Sequence, residues 1–200
     1  PPQAAGFQGQ AQGRSGMPQQ QQIDQLAQEA LPEVDAVTPD PGQPGLADIV
    51  AENLNRYLFF TTDITHVVEE TDVFFLCINT PPNRDGSTDM SYYLDAINHL
   101  GGLLAQRHKK QRVVLVNKST VPIGTGDWVA DIVKKAQPKP IDFALVSCPE
   151  FLREGSAIAD FTSPHRTVIG SLDKDAANKV AHLHLPLRAP IVITDLRTAE

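Results

Sequence analysis

The sequence predicts an α/β fold built on a doubly wound, mostly parallel sheet. Two observations predict it. Short, nearly continuous apolar runs alternate with segments whose apolar residues recur at helical spacing, and a polar cluster rich in proline, glycine or asparagine closes each of the main runs. A strand buried on both faces reads as such a run, and intervening helices supply the crossovers that parallel pairing needs. The chain has 200 residues, 41% of them hydrophobic, enough for a core of about one domain or one and a half.

The chain opens on a polar stretch. Residues 1–22 hold eight glutamines, four glycines and three prolines, with Phe7 and Met17 as the only large apolar side chains. Such a stretch buries too little surface to offset its ordering entropy and reads as a disordered leader. Residues 23–43 read as a linker: Ile23, Leu26, Ala30 and Leu31 suit a short helix, and Pro32, Pro39 and Pro41 keep it from extending. Beyond Gly45, Leu46, Ile49, Val50 and Leu54 recur at helical spacing, and Leu58–Thr61 reads as a strand. Asp72–Asn79 is the first buried strand. An amphipathic helix is expected from Ser91 to about His108, carrying Leu94, Ile97, Leu100, Leu103 and Leu104 on one side. Val113–Val116, Phe143–Val146, Thr167–Ile169 and Ile191–Thr194 are further strands. Helices are expected around Trp128–Val133 and Ala176–Leu185.

Composition excludes several classes. A net charge of −7 offers no basic field to hold a nucleic acid or an anionic membrane surface. No apolar run approaches the ~18 residues of a membrane span, and no signal peptide opens the chain, so a cytoplasmic location is expected. No metal site is expected, because the six histidines and two cysteines show no ligand spacing. His182 and His184, two apart in a helix, point to different faces. Cys77 reads as a small core residue, and Cys148 stands at a strand exit with no base or cation beside it in the sequence.

Open parallel sheets bind ligands at the carboxyl ends of their strands, so the polar exits are where chemistry is sought. Three stand out: Ile78-Asn79-Thr80-Pro81-Pro82, Lys118-Ser119-Thr120-Val121-Pro122 with Gly124-Thr125, and Pro149-Glu150-Phe151-Leu152-Arg153-Glu154-Gly155. Each alone has a plainer reading. Prolines stop strands, and glutamates favour a helix start. Their shared position at one sheet edge argues against three accidents. Glu150 and Glu154, four apart, would share one face of a helical turn. Gly124-x-Gly126 imitates a dinucleotide fingerprint, but Val129 replaces the third glycine and no complete Gly-x-Gly-x-x-Gly exists in the chain.

At these exits the sequence resembles the UDP-glucose/GDP-mannose dehydrogenase family, and within it the UDP-glucose 6-dehydrogenases. Pro44-Gly45-Leu46, Leu58–Asp63 and Ile191–Asp195 join the three exits in the match, which runs over about 44–200. The resemblance implies an incomplete Rossmann-like sheet, part of an NAD-binding domain, in an enzyme oxidising the C6 hydroxyl of a sugar nucleotide to a carboxylate in two NAD-dependent steps. It implies UDP-glucose as the substrate, with UDP-N-acetylmannosamine and GDP-mannose as alternatives, and a homo-oligomeric full-length enzyme. By the same resemblance Ile78, Asn79, Thr80, Pro81 and Pro82 lie along NAD, with Ser119 and Thr120 approaching it and Thr120 helping to hold a catalytic water. Glu150 resembles the acid/base glutamate and Glu154 the one near the nicotinamide. Phe151, Leu152 and Arg153, with both glutamates, resemble the sugar-nucleotide wall.

Departures from the family pattern shape the remaining expectations. Asn117 and Cys148 stand where the family carries glutamate before Lys-Ser-Thr and asparagine before Pro-Glu. The Gly-rich unit expected before Pro44, and the lysine, asparagine and nucleophilic cysteine expected beyond Glu200, are not in the sequence. Weak or no NAD binding and no turnover are therefore expected of these 200 residues alone. A non-catalytic interaction module is the alternative reading.

Overall fold

The computed structural model describes residues 45–136 and 141–200. The leader and linker expected over 1–43, with the short helix inside it, lie outside the described residues. Two compact units are distinguished, and residues 46–63 fall in the first. There α1 (Leu46–Asn53) carries most of the helical repeat predicted by the apolar spacing. The strand expected at Leu58–Thr61 does not form: Leu58 makes a single bridge, to Leu54. Asn55 takes φ 60°, and the amides of Arg56, Tyr57 and Leu58 turn onto Asn53 O at 3.2, 2.9 and 2.9 Å. That turn uses backbone donors a ladder would need.

The second unit runs α2 (Ile64–Glu70), β1 (Val73–Leu76), α3 (Ser91–Leu104), β2 (Val113–Asn117), α4 (Thr125–Lys135) and β3 (Phe143–Ser147). It continues with α5 (Ala157–Thr162), β4 (Thr167–Gly170), α6 (Lys174–His184), β5 (Ile191–Thr194) and α7 (Leu196–Ala199). The five strands lie in chain order, β1-β2-β3-β4-β5. β1, β2 and β3 are parallel, with Val73 opposite Val114 and Val113 opposite Phe143. β4 turns antiparallel to β3 and meets it through one pair, Ser147 with Gly170, while β5 runs parallel to β4. The mostly parallel α/β sheet expected from the sequence is therefore present.

Alternation along β2 sorts the core. Val113 and Leu115 face α3 and α4, packing with Tyr93, Ile97, Leu104, Val129 and Val133. Val114 and Val116 face the opposite side, with Val146, Cys148, Ile169 and the α6 residues Ala176, Ala177 and Val180. Right-handed crossovers put successive helices on one face of sequentially ordered parallel strands, which is why α3 and α4 are neighbours. All five β2 residues are buried. Each such aliphatic side chain contributes about 1.5–3 kcal/mol relative to exposure.

Two expectations are corrected at the margins. Among the described residues β1 is an edge strand: on its side away from α3, Val73 packs on the core, but Phe75 is 41% exposed and Cys77 is exposed rather than a core residue. Residues 149–154 form no helical turn. The helix begins at Ala157, after Gly155 reverses the chain at φ 79°, a conformation glycine adopts without penalty. α2 and α5, each under two turns, carried too short an apolar repeat to be expected.

Gly170 is where α7 lies closest to the sheet. A Cβ there would overlap Ala199 Cβ and come within 2.5 Å of Asp195 O. Gly170→Ala should therefore cost about 1–3 kcal/mol through overpacking, lowering the thermal midpoint by about 3–10 °C in a circular-dichroism melt.

Candidate functional site

The ends of β1, β2 and β3 come together through their backbones. Leu76 O accepts the amides of Lys118 and Ser119 at 3.0 and 3.2 Å, and Asn117 O accepts the amide of Cys148 at 2.8 Å. The Ser119 hydroxyl then joins the first two exits. It accepts Ile78 N–H at 2.7 Å and donates to Ile78 O at 2.8 Å. Thr80 adds a second stitch, its hydroxyl donating to Thr120 O at 2.8 Å. Ser119 is buried, because a side chain answering both polar groups of one residue must sit between the two loops. The Thr120 hydroxyl, by contrast, is exposed and has no hydrogen-bond partner among the described residues.

The third exit opens onto a cavity of about 680 Å³, whose wall includes Lys118, Glu150, Phe151, Leu152, Arg153 and Asp160. Glu150 is exposed, and its Oε2 accepts Leu152 N–H at 2.7 Å. Arg153 forks onto Asp160, Nη2 to Oδ1 at 2.7 Å and Nε to Oδ2 at 3.1 Å. His165 and Arg166 line the far side of the same cavity. Among the described residues neither Lys118 nor Arg166 is in an ion pair, which leaves positive charge facing it.

Behind this wall Cys148 is fully buried. The structure gives it the neighbours that the sequence did not show: Lys118 Nζ at 3.8 Å and His184 Nε2 at 3.9 Å. Burial pushes the Cys148 thiol up, against the opposing pull of Lys118. His184 is buried and His182 exposed, on different faces as expected.

The Gly124-x-Gly126 segment is also settled by geometry. Its amides donate to the Glu200 carboxylate, Gly124 N–H at 2.6 Å and Gly126 N–H at 2.7 Å. The positive start of α4 thus holds the chain's own anion rather than offering itself to a phosphate.

Of the residues predicted from the sequence, Glu150, Phe151, Leu152 and Arg153 share the cavity wall, while Glu154 is not among its lining residues. Ile78, Asn79, Thr80, Pro81, Pro82, Ser119 and Thr120 lie along the adjoining exits of β1 and β2. Asp160 and His184 carried no sequence signal, since their partners are set by folding. Lys118 stood inside a recognised motif without an assigned role.

Parallel strands whose polar exits meet at one edge define a nucleotide-binding α/β domain. Residues 19–188 match the model of the UDP-glucose/GDP-mannose dehydrogenase family, NAD binding domain, and the chain belongs to that family. It is 43% identical over 159 residues to the UDP-glucose 6-dehydrogenase TuaD of Bacillus subtilis (strain 168), covering 79% of this chain and 33% of that protein. It is 36% identical over 162 residues to the GDP-mannose 6-dehydrogenase of Azotobacter vinelandii, covering 79% of this chain and 37% of that one. Among solved structures, a ternary complex of GDP-mannose dehydrogenase from Pseudomonas aeruginosa superposes with a TM-score of 0.71 at 31% identity, covering 90% of this chain and 40% of the other. A UDP-glucose dehydrogenase from Pyrobaculum islandicum gives 0.69 at 34% identity, covering 78% and 36%. The chain spans about a third of the length of the curated relatives it matches. No described helix is long and apolar enough to cross a membrane.

Ser119→Ala should leave Ile78 N–H without its side-chain acceptor. Hydrogen exchange at the Ile78 amide should then quicken at least about tenfold, while amides within β3 keep their wild-type rates.

Proposed function

We propose that these residues form part of the NAD-binding domain of an enzyme that oxidises the C6 hydroxyl of UDP-glucose to the carboxylate of UDP-glucuronate. The observation that carries this reading is the joining of the Asn-Thr-Pro, Lys-Ser-Thr and Pro-Glu-Phe-Leu-Arg-Glu exits at one edge. NAD fits that edge on chemical grounds: Asn79 and Thr120 are exposed there, and Ser119 fixes the backbone of the first exit. Ile78–Pro82, Ser119 and Thr120 would hold it, with Glu154 near the nicotinamide end. Bound NAD supplies the hydride acceptor.

Loss of hydride from an alcohol carbon needs a route for the hydroxyl proton, and a carboxylate or a carboxylate-held water provides one. Glu150 takes that role. Its Oε2 is tied to Leu152 N–H, and Oε1 has no partner among the described residues, so one oxygen is anchored and the other can accept a proton. Thr120 holds the water, and Phe151, Leu152 and Arg153 form the wall against the sugar. Lys118 and Arg166, in no ion pair among the described residues, suit an anionic nucleotide in the same cavity. UDP-glucose is favoured because the TuaD relative reaches 43% identity against 36% for the GDP-mannose 6-dehydrogenase. The superposition on a GDP-mannose dehydrogenase, at a TM-score of 0.71, supports GDP-mannose as the second reading.

The test monitors NADH formation by the intact polypeptide that carries these residues, offered UDP-glucose, GDP-mannose and UDP-N-acetylmannosamine in turn. UDP-glucose should give the highest kcat/KM, and Glu150→Gln should lower kcat by about 10²–10⁴ with little change in the KM for NAD. No NADH from any of the three would overturn the dehydrogenase reading. Preference for GDP-mannose would overturn only the choice of substrate. The 200-residue chain alone should produce none.

A further inference from the structure

Asp160 is the most heavily bonded carboxylate at the cavity. It accepts Arg153 N–H at 3.0 Å, Arg153 Nε–H at 3.1 Å, Arg153 Nη2–H at 2.7 Å and the Ser156 hydroxyl at 2.9 Å. Its side chain is 15% exposed, against 78% for Arg153. The bonds to Arg153, led by those from its side chain, hold the Asp160 carboxyl well below the usual carboxylate range.

The bond from the Arg153 backbone amide separates this arrangement from an ordinary surface ion pair. It fixes a peptide plane, not only a flexible side chain. The segment 149–154 lies outside every helix and strand. Its other backbone ties are Leu152 N–H to Glu150 and Ser156 N–H to Arg153 O at 3.1 Å. With Gly155 reversing the chain at φ 79°, the wall is folded back onto α5, and Asp160 receives it there. Two of the five guanidinium donors, on Nε and Nη2, go to Asp160 and fix the plane of the group against α5.

We propose that Asp160 is the positioning residue of the cavity wall, acting through Arg153 to hold Glu150–Arg153 in the shape that meets the sugar nucleotide. The proposal rests on the functional reading above. It also changes the part played by Arg153, which gives the wall its shape rather than a charge for the substrate.

Two measurements on the intact polypeptide test it. In the first, Asp160→Asn should raise the KM for the sugar nucleotide about tenfold and lower kcat as well, because Glu150 stands in the same wall, with the KM for NAD within about twofold of wild type. Arg153→Met should do the same, and the double variant should be no worse than either single one, because both remove one linkage. Additive effects, or a far larger effect of Arg153→Met, would mean that Arg153 contacts the substrate itself and would overturn the proposal. The second measurement needs no turnover. Trypsin can cut after Arg153 only when the guanidinium leaves Asp160, so Asp160→Asn should speed cleavage of the Arg153–Glu154 bond at least about tenfold. Cleavage after the exposed Arg56 should stay unchanged. Equal rates at Arg153 would overturn the proposal. Should the wild-type polypeptide oxidise no sugar nucleotide, the functional reading falls and the cleavage rates still decide the role of Asp160. Should Asp160→Asn misfold, Ser156→Ala, which removes one of the bonds, should quicken the same cut about two- to threefold.

Discussion

Where parallel strands end together, their last peptide groups lose their ladder partners, and the structure depends on how those groups are answered. Leu76 O takes two amides from the chain leaving β2, and Asn117 O takes the amide just past β3. Ile78 N–H, two residues beyond the last paired residue of β1, goes to the Ser119 hydroxyl. A buried donor left unmet costs about 1–3 kcal/mol, so these contacts set the paths of all three exits. The site is, in physical terms, the way the sheet satisfies its own edge.

A second pattern concerns anions. Glu200 fills the start of α4, and Asp173 caps α6 by accepting Ala176 N–H while pairing with Arg112 at 2.6 Å. Asp160 binds the third exit. Each carboxylate sits where backbone amides point, so the chain answers its own donors with its own acids. Among the described residues, the groups facing the cavity without such a partner include Lys118 and Arg166 and one oxygen of Glu150. That residue of unbalanced charge is what a ligand would meet.

Much of this is readable in the sequence, for reasons that differ by element. β2 and β3 show as unbroken apolar runs because both faces of the sheet are covered, and α3 shows because fourteen residues give its apolar stripe several repeats. β1 gives the same signal, yet Phe75 and Cys77 face outward, since a run of apolar residues does not say whether its strand is central or at an edge. The clustering of the three exits is a consequence of topology and is visible. The shape of the third is not, because four-residue glutamate spacing suggests a helix only when no glycine reverses the chain next to it. Asp160 is invisible because its partner lies across a loop whose path the sequence pattern does not encode.

The single pairing between β3 and β4 has a mechanical meaning. One residue pair, Ser147 with Gly170, joins the three parallel strands to the reversed β4–β5 ribbon, and the seam is backed by the Ser171 hydroxyl donating to Leu145 O at 2.6 Å and by the helices on either side. α6 packs on one side of it, and α7 lies against Gly170 on the other. Glu200, the residue next to α7, grips the first amides of α4. Any flexing of the ribbon against the parallel strands would therefore pull on the helix just past the Lys-Ser-Thr exit. The seam couples the stiffness of the sheet's outer portion to the loop beside the reacting groups.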